Sequence, residues 1–227
     1  MLEVVVDCWK YSIHFYNNMI KKLKRIEVEE KLKSLGLVVF TPQEFKDIFA
    51  TPQSIAAVFI SRNLGKGGVF IKLRNGLYMV KDAYVSLFFI ANKMYESSYI
   101  SLGTALSYYG IIPEVVYTVT SVTAKISREF ATPKGNFIYQ RIKKSAFTGY
   151  GLRLIDKENV LIAAPEKALA DYLYFVDLKR VSLNDRLDLK HINKPELILF
   201  IKLFNRPSML TLVQRIYAEY KKPRKIY

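Results

Sequence analysis

The basic side chains between Arg62 and Lys81 are the residues whose type and spacing most clearly suit a ligand. This stretch holds five basic residues and no acidic one. The five are Arg62, Lys66, Lys72, Arg74 and Lys81. Phosphate contacts from such cations supply most of the sequence-independent affinity of proteins for DNA. Cations without acidic neighbours therefore predict a surface that binds the phosphate backbone.

A short helix is predicted directly before most of these cations. Thr51 is a suitable N-cap, and Pro52 at the first helical position loses only an N–H that would have no partner there. One apolar stripe follows at helical spacing, made of Ala56, Phe59, Ile60 and Leu64. Ser54, Ser61 and Arg62 fall on the opposite face, which suits a helix in the major groove of DNA. An ordinary amphipathic helix with a solvated face has the same pattern.

A glycine turn and a β-hairpin are predicted after this helix. Gly65-Lys66-Gly67-Gly68 ends the helix, because glycine adopts the φ values that a tight turn demands. Asn75-Gly76 between two β-rich runs is a strong hairpin signal. The runs are Val69–Ile71 and Leu77–Val80. The hairpin would carry Lys72 and Arg74, so it is suited to contacting DNA beside the helix.

Two more helices are predicted upstream. The first runs from Tyr11 to Leu35. Thr41 and Glu44 have the spacing of a capping box and would open the second. Three helices followed by a basic hairpin, over about residues 11 to 81, predict a winged helix-turn-helix, whose usual function is binding duplex DNA. Residues 1–81 are therefore the predicted DNA-binding domain.

The composition of the chain favours an anionic partner. Its 35 Lys and Arg residues against 20 Asp and Glu give a net charge of +15. Such an excess suits nucleic acid or an acidic protein surface. Hydrophobic residues make up 51% of the 227, which is enough for a core and argues against global disorder.

Cysteine and histidine are too scarce for common metal sites. Cys8 is the single cysteine, which excludes an internal disulfide and a multi-cysteine zinc site. His14 and His191 are the two histidines, so neither a metal centre nor a cofactor is expected. The N-terminus lacks the features of a secretory signal. The densest apolar run, Tyr84 to Ala91, is shorter than the roughly 20 residues that span a bilayer. A cytoplasmic protein without a membrane partner is expected.

Residues 82–227 predict a second domain, α+β in class, with a small mostly antiparallel sheet and a helical C-terminus. Ser101 and Gly110 have the residue types that begin and end a helix. Hairpins are predicted about the turns 133–136 and 156–159. The other predicted elements are a strand over 115–120 and helices over 81–95, 166–175, 185–190, 195–204 and 207–220. The fold class predicted for the whole chain is α+β.

Four side chains of this domain invite a catalytic interpretation: Ser101, Tyr108, Glu166 and Asp171. Ser101 and Glu166 also fit the starts of helices, where a cap oxygen and an acidic first turn are favoured. A hydrolytic triad would need a base, and neither histidine lies near a nucleophile elbow. Structural roles are therefore the favoured interpretation.

Other enzyme classes have weak signals. The glycine turn lacks the spacing and the following Lys-Ser/Thr of a phosphate-binding loop. A nucleotidyltransferase is not predicted, because the chain has no Gly-Ser turn followed by two Asp residues that are separated by one position. A metal-dependent nuclease is the remaining alternative, based on Glu29-Glu30-Lys31. No catalytic activity is expected.

Four sequence blocks between about residues 38 and 176 resemble the AbiEi-type antitoxins, transcriptional regulators of abortive-infection toxin–antitoxin loci. The blocks are TPQEFKDIF, FIKLRNGLYMV, YISLGTALSYYGIIPEVVYTVTSVTAKISREFATPKGNFIYQRI and IAAPEKALADYLYF. The resemblance implies an N-terminal winged helix that represses its own promoter. It also implies a C-terminal domain that counters a nucleotidyltransferase toxin.

The resemblance also implies which residues contact DNA. They correspond to Gln53, Ser54, Ser61, Arg62, Lys72 and Arg74, and the basic run adds Lys66. Ala57 and Val58 depart from the more basic surface expected on the recognition helix. The expected partners are double-stranded promoter DNA and the toxin. The alternative is a toxin-neutralising interaction protein whose winged helix is only structural.

Overall fold

A computed structural model of the protein describes residues 23–220. The described chain divides into two compact units, one ending at Val85 and the other beginning at Ser86. The division falls a few residues after the 81/82 boundary expected from the sequence, because an irregular segment follows the hairpin before the next helix begins. Cys8, His14 and the first half of the helix predicted from Tyr11 lie outside the described residues.

Within residues 23–85, the first unit combines three helices with a small antiparallel sheet. Its elements are α1 (Arg25–Ser34), β1 (Val39–Phe40), α2 (Pro42–Phe49), α3 (Gln53–Arg62), β2 (Phe70–Arg74) and β3 (Leu77–Val80). The strands lie in the order β1-β3-β2. The predicted hairpin turn at Asn75-Gly76 is confirmed, and Gly76 has φ +73°. Strand β1 was not predicted, because two residues are too few to show alternation.

Phenylalanine rings form the core of the first unit. Phe40, Phe45, Phe59 and Phe70 are all buried. The ring centroids of Phe40 and Phe70 are 5.1 Å apart in an edge contact, and those of Phe45 and Phe59 are 5.7 Å apart and stacked. These separations are typical of favourable aromatic pairs. The rings therefore join the sheet to α2 and α3.

The start of α3 differs from the prediction. Pro52, not Thr51, is the N-cap, and the helix begins at Gln53. Ala50 ends α2 with φ 46°, and Thr51 precedes a proline, a position that disfavours helical conformation. The Thr51 side chain is buried, and its Oγ1 makes no hydrogen bond with any residue in 23–220. The prediction of Thr51 as the cap is therefore wrong.

The capping box at the start of α2 is confirmed. Thr41 Oγ1 accepts a hydrogen bond from the backbone N–H of Glu44 at 3.2 Å. The backbone N–H of Thr41 donates to Glu44 Oε2 at 2.7 Å. Both hydrogen bonds satisfy N–H groups that the first turn of a helix leaves without partners.

Replacing Thr41 with alanine should lower the free energy of unfolding by about 1 kcal/mol, because the N–H of Glu44 loses its acceptor. Urea-induced unfolding followed by far-UV circular dichroism measures the change. Thr41→Ser keeps the hydroxyl and should lose much less. Equal losses in the two variants would contradict a capping role for the oxygen.

The second unit combines a six-stranded sheet with five helices in its described part. The helices are α4 (Leu87–Met94), α5 (Leu102–Tyr108), α6 (Pro165–Asp177), α7 (Lys194–Lys202) and α8 (Pro207–Tyr220). The strands are β4 (Ser98–Ile100), β5 (Val119–Thr123), β6 (Arg128–Thr132), β7 (Gly135–Arg141), β8 (Tyr150–Ile155) and β9 (Glu158–Ala163). A short 3₁₀ turn, Lys144–Ala146, follows β7.

The sheet of the second unit has the order β6-β7-β5-β4-β9-β8. Three neighbouring pairs are antiparallel, and two pairs, β4·β9 and β5·β7, are parallel. Both predicted hairpins, β6–β7 and β8–β9, are confirmed. Helix α6 packs against α5, α7, α8 and β9. The prediction of an α+β class with a mostly antiparallel sheet and a helical C-terminus is confirmed.

Three predicted elements of this unit are wrong in extent or type. The strand expected from Val115 begins at Val119, where pairing with Phe137 of β7 starts. β-branched residues without a partner strand stay irregular. The helix expected over 81–95 is confined to α4. Residues 185–190 form no helix, because Asp188 Oδ1 accepts from the backbone of Lys190 at 3.0 Å and competes with helical pairing.

None of the helices within residues 23–220 combines the length and the apolar character that crossing a membrane requires.

Candidate nucleic-acid interface

One face of α3 is exposed and polar. The exposed side chains are Gln53, Ser54, Ala57, Ser61 and Arg62. The opposite face is buried and consists of Ile55, Ala56, Phe59 and Ile60. The helix therefore presents an amide, two hydroxyls and a guanidinium along one side, and the small apolar side chain of Ala57 lies between them.

The C-terminal end of α3 is fixed to the hairpin by Asn63. The Asn63 side chain donates to the backbone oxygen of Phe59 at 2.8 Å. Its own backbone oxygen accepts from the N–H of Phe70, the first residue of β2, at 3.0 Å. The rings of Phe59 and Phe70 pack with centroids 6.3 Å apart. These contacts determine where the hairpin begins relative to the helix.

The glycine loop between α3 and β2 lies against the helix end. A Cβ atom at Gly68 would stand 1.9 Å from the backbone oxygen of Asn63, so only glycine fits there. Two basic side chains support the loop from other elements. Arg25 Nη1 donates to the oxygen of Gly67 at 3.2 Å, and Lys81 Nζ donates to that of Lys66 at 3.4 Å. The Lys66 side chain itself is exposed.

Gly68→Ala should lower the free energy of unfolding by about 1–3 kcal/mol, because the added methyl overlaps backbone that cannot move without breaking the contact of α3 with β2. Gly67→Ala is the matched control. A Cβ at Gly67 would meet nothing within 4 Å, so its effect should stay within about 0.5 kcal/mol. Urea unfolding of both variants makes the comparison. Similar stability of the two variants would contradict the close approach.

The hairpin carries Lys72 and Arg74. A bulge lies between these residues, and the alternation of β2 is irregular: Phe70 and Leu73 are both buried, while Lys72 is exposed. Arg74 is half-buried, and its Nη1 donates to the backbone oxygen of Asn75 at 2.8 Å. One cation is thus extended into solvent, and the other is held against the turn.

The structure brings the sequence-predicted residues onto consecutive elements. Gln53, Ser54, Ser61 and Arg62 share the exposed face of α3; Lys66 lies in the glycine loop; Lys72 and Arg74 lie on β2. All of them except Arg74 are exposed. Sequence reasoning did not predict that Arg25 contacts Gly67, because the two residues are far apart in the chain. No local pattern signals such a contact.

A polar cluster is buried in the second unit around Asp171. Ser101 Oγ and Tyr99 Oη donate to Asp171 Oδ2 at 2.8 and 3.1 Å. Lys167 Nζ pairs with the other carboxylate oxygen. All four side chains have essentially no exposed surface. The Lys167 ammonium also lies 4.9 Å from the ring centroid of Phe204, within cation–π range.

Burial raises the pKa of the Asp171 carboxyl above its ordinary value, while Lys167 and the donated hydrogen bonds act in the opposite direction. Burial, and then the nearby carboxylate of Asp171, raise the pKa of Tyr99. The cluster is therefore strongly desolvated. Each of its four side chains has a hydrogen-bond partner within the cluster, and none of them faces solvent.

The side chains that invited a catalytic interpretation make structural contacts. Ser101 occupies the predicted N-cap position of α5, but its hydroxyl donates to Asp171 and makes no capping hydrogen bond. Glu166 Oε1 accepts from the backbone of Asn193 at 2.9 Å, which ties α6 to the start of α7. Tyr108 packs at the edge of Phe88 with centroids 6.1 Å apart. The nuclease alternative was based on Glu29-Glu30-Lys31, which lie on α1. There Glu29 forms an ion pair with Lys33 at 2.6 Å.

Besides its acidic residues, the described part of the chain holds one histidine, His191, and no cysteine. No group of three or more of these side chains within residues 23–220 lies close enough to hold a metal ion. His191 is exposed.

No family model matches the chain, and no curated protein matches it. What the protein does is therefore inferred from its own residues and their geometry.

Proposed function

We propose that the first unit is a winged helix-turn-helix that binds duplex DNA. The observation that carries the proposal is the exposed polar face of α3, followed directly by a loop and hairpin whose sequence contains basic residues and no acidic one. The order of elements supports it: two helices, α2 and α3, precede a β-hairpin that pairs with the short strand β1. A winged module presents a helix and a hairpin to DNA together.

In the proposed complex α3 enters the major groove. The Gln53 amide is suited to the N6 and N7 groups of adenine, and the Arg62 guanidinium to O6 and N7 of guanine. Ser54 and Ser61 are short enough to reach base edges or phosphates. Lys66, Lys72 and Arg74 then contact flanking phosphates or the minor groove.

We further propose that the protein is an antitoxin that represses its own operon. The AbiEi-like blocks quoted above, TPQEFKDIF to IAAPEKALADYLYF, and the net charge of +15 support this. In this proposal the second unit counters a nucleotidyltransferase toxin, and the protein has no catalysis of its own. The complete burial of Ser101 and Asp171 is in keeping with a structural role for them.

A second candidate function is an interaction protein in which the first unit is only structural. Val115 and Tyr117 favour it, because they are 75% and 87% exposed in the irregular segment before β5. Exposed apolar groups that lie close together mark protein-binding surfaces. DNA-binding measurements separate the two candidates, since the second requires no preference for any DNA sequence.

Arg62→Ala tests the proposed base contact. Losing a bidentate contact to guanine should weaken binding to the operator by about 1–3 kcal/mol and leave binding to scrambled DNA much less affected. Fluorescence anisotropy with labelled duplexes measures both. Lys190→Ala, which removes an exposed cation from the second unit, is the control and should change neither. An equal loss on both DNAs would mean that Arg62 contacts only phosphate.

A further inference from the structure

Strand β8 forms an exposed edge of the six-stranded sheet. It is the last strand in the sheet order and pairs with β9 on one side. Every residue of β8 is exposed except Ile155, which is half-buried. Leu152 and Leu154 have 67% and 73% of their surface exposed. An exposed apolar edge strand is a template for pairing with another strand.

Most of the devices that usually block such an edge are missing from β8, whose one charged residue is Arg153. Natural edge strands are protected by lysine, proline or a bulge. The β8 sequence, YGLRLI, has neither lysine nor proline, and its register with β9 runs without a shift from Tyr150 to Ile155. The opposite edge strand, β6, begins instead with the exposed charges of Arg128 and Glu129. β8 is therefore the edge that is open to pairing.

The turn after β8 determines which backbone groups point away from the sheet. Asp156 and Lys157 both have positive φ, 49° and 69°, which is the geometry of a two-residue type I′ hairpin. Ile155 and Glu158, which flank the turn, then form a hydrogen-bonded pair. Counting back from Ile155, every second residue of β8 directs its backbone N–H and C=O groups toward β9. The residues that direct their N–H and C=O groups outward are Tyr150, Leu152 and Leu154.

We propose that β8 pairs with β8 of a second copy of this chain, antiparallel about a two-fold axis at Leu152. Hydrogen bonds between the copies form only at residues whose backbone groups point outward. The register centred on Leu152 uses all three such residues of β8, namely Tyr150, Leu152 and Leu154. It makes roughly six hydrogen bonds between the copies. The two sheets then continue as one.

The side chains of β8 are complementary to themselves in this register. Leu152 lies opposite its own copy and Tyr150 lies opposite Leu154, so apolar groups meet on one face. Arg153 lies opposite Gly151, so the only cation of the strand is not placed across from its copy. The Arg153 guanidinium already lies over the ring of Tyr109 in its own chain, 5.7 Å from the centroid. A two-fold pairing of this kind closes and does not propagate into fibres.

This pairing is independent of DNA binding and is tested on the full-length protein by sedimentation equilibrium over a concentration series. The expected result is a monomer–dimer equilibrium. Leu152→Lys places two ammonium groups directly opposite each other and should raise the dimer dissociation constant at least about tenfold. Leu152→Asp should do the same. An equimolar mixture of the two variants should recover the dimer, because Lys then faces Asp across the axis.

Val181→Lys is the matched control, since it adds the same charge at another exposed apolar residue of the unit and should leave the dimer intact. Far-UV circular dichroism checks that the variants stay folded. A wild-type protein that is monomeric at every concentration would overturn the proposal. So would a dimer that Leu152→Lys does not weaken, or variants whose mixture stays monomeric.

Discussion

Asp171→Ala is expected to lower the free energy of unfolding by about 3–5 kcal/mol, which is a large part of the stability of an ordinary domain. The variant leaves the Lys167 ammonium buried without a counter-charge. It also takes the acceptor from the Ser101 and Tyr99 hydroxyls. Urea-induced unfolding followed by far-UV circular dichroism measures the loss.

A double variant separates the cost of a buried unpaired charge from the value of the pair. Lys167→Met with Asp171→Asn removes both charges and leaves an amide oxygen that can accept from the hydroxyls. Replacing a buried ion pair by neutral groups of similar volume is often nearly neutral. The double variant should therefore be clearly more stable than Asp171→Ala.

An exposed pair with the same spacing is the control for this experiment. Lys33 and Glu29 on α1 are also four residues apart, but the Lys33 side chain is 42% exposed. Lys33→Ala should cost no more than about 0.5 kcal/mol, since solvent screens the pair. If Asp171→Ala cost as little as Lys33→Ala, the cluster around Asp171 would not be the desolvated centre that its burial indicates.

The second large effect is expected on DNA binding. Lys72→Ala combined with Arg74→Ala should weaken binding about 10- to 100-fold at moderate salt, on all DNA sequences alike. The slope of log K against log salt should fall by about two units, because two phosphate contacts no longer release counterions. Filter binding or anisotropy at four or five salt concentrations gives both quantities.

Two controls make the hairpin result specific. Lys157→Ala with Lys190→Ala removes two exposed cations from the second unit and should leave the salt slope unchanged. The hairpin variant should also still neutralise the toxin on co-expression if that activity belongs to the second unit. An unchanged slope in the hairpin variant would mean that Lys72 and Arg74 do not contact phosphate.

Short sequence motifs predicted the elements whose geometry depends on residues that are close together in the chain. Asn75-Gly76 located the first hairpin, and Thr41 with Glu44 located the start of α2. The helix predicted over 166–175 lies within α6, which begins at Pro165. In each case the residues that determine the geometry lie within a few positions of one another.

Features that depend on several elements were not predictable in this way. Lys167 and Asp171 are buried because α6 is covered by three helices and a strand, which the pattern of one helix does not reveal. Thr51 has the residue type of a cap, yet the neighbouring Ala50 and Pro52 place the cap one residue later. For the candidate interface, the residue types could be read from the sequence. The different environments of the two hairpin cations could not: Arg74 is held against the turn, while Lys72 is exposed.

The measurement that tests the central claim most directly is binding of the full-length protein to the DNA upstream of its own gene, against scrambled DNA, across a salt series. Sequence-specific regulators prefer their sites by about a thousandfold or more and show a steep salt slope. We predict both for this protein. Salt-dependent binding without preference, or no binding at all, would contradict the proposal that α3 and the hairpin read a promoter.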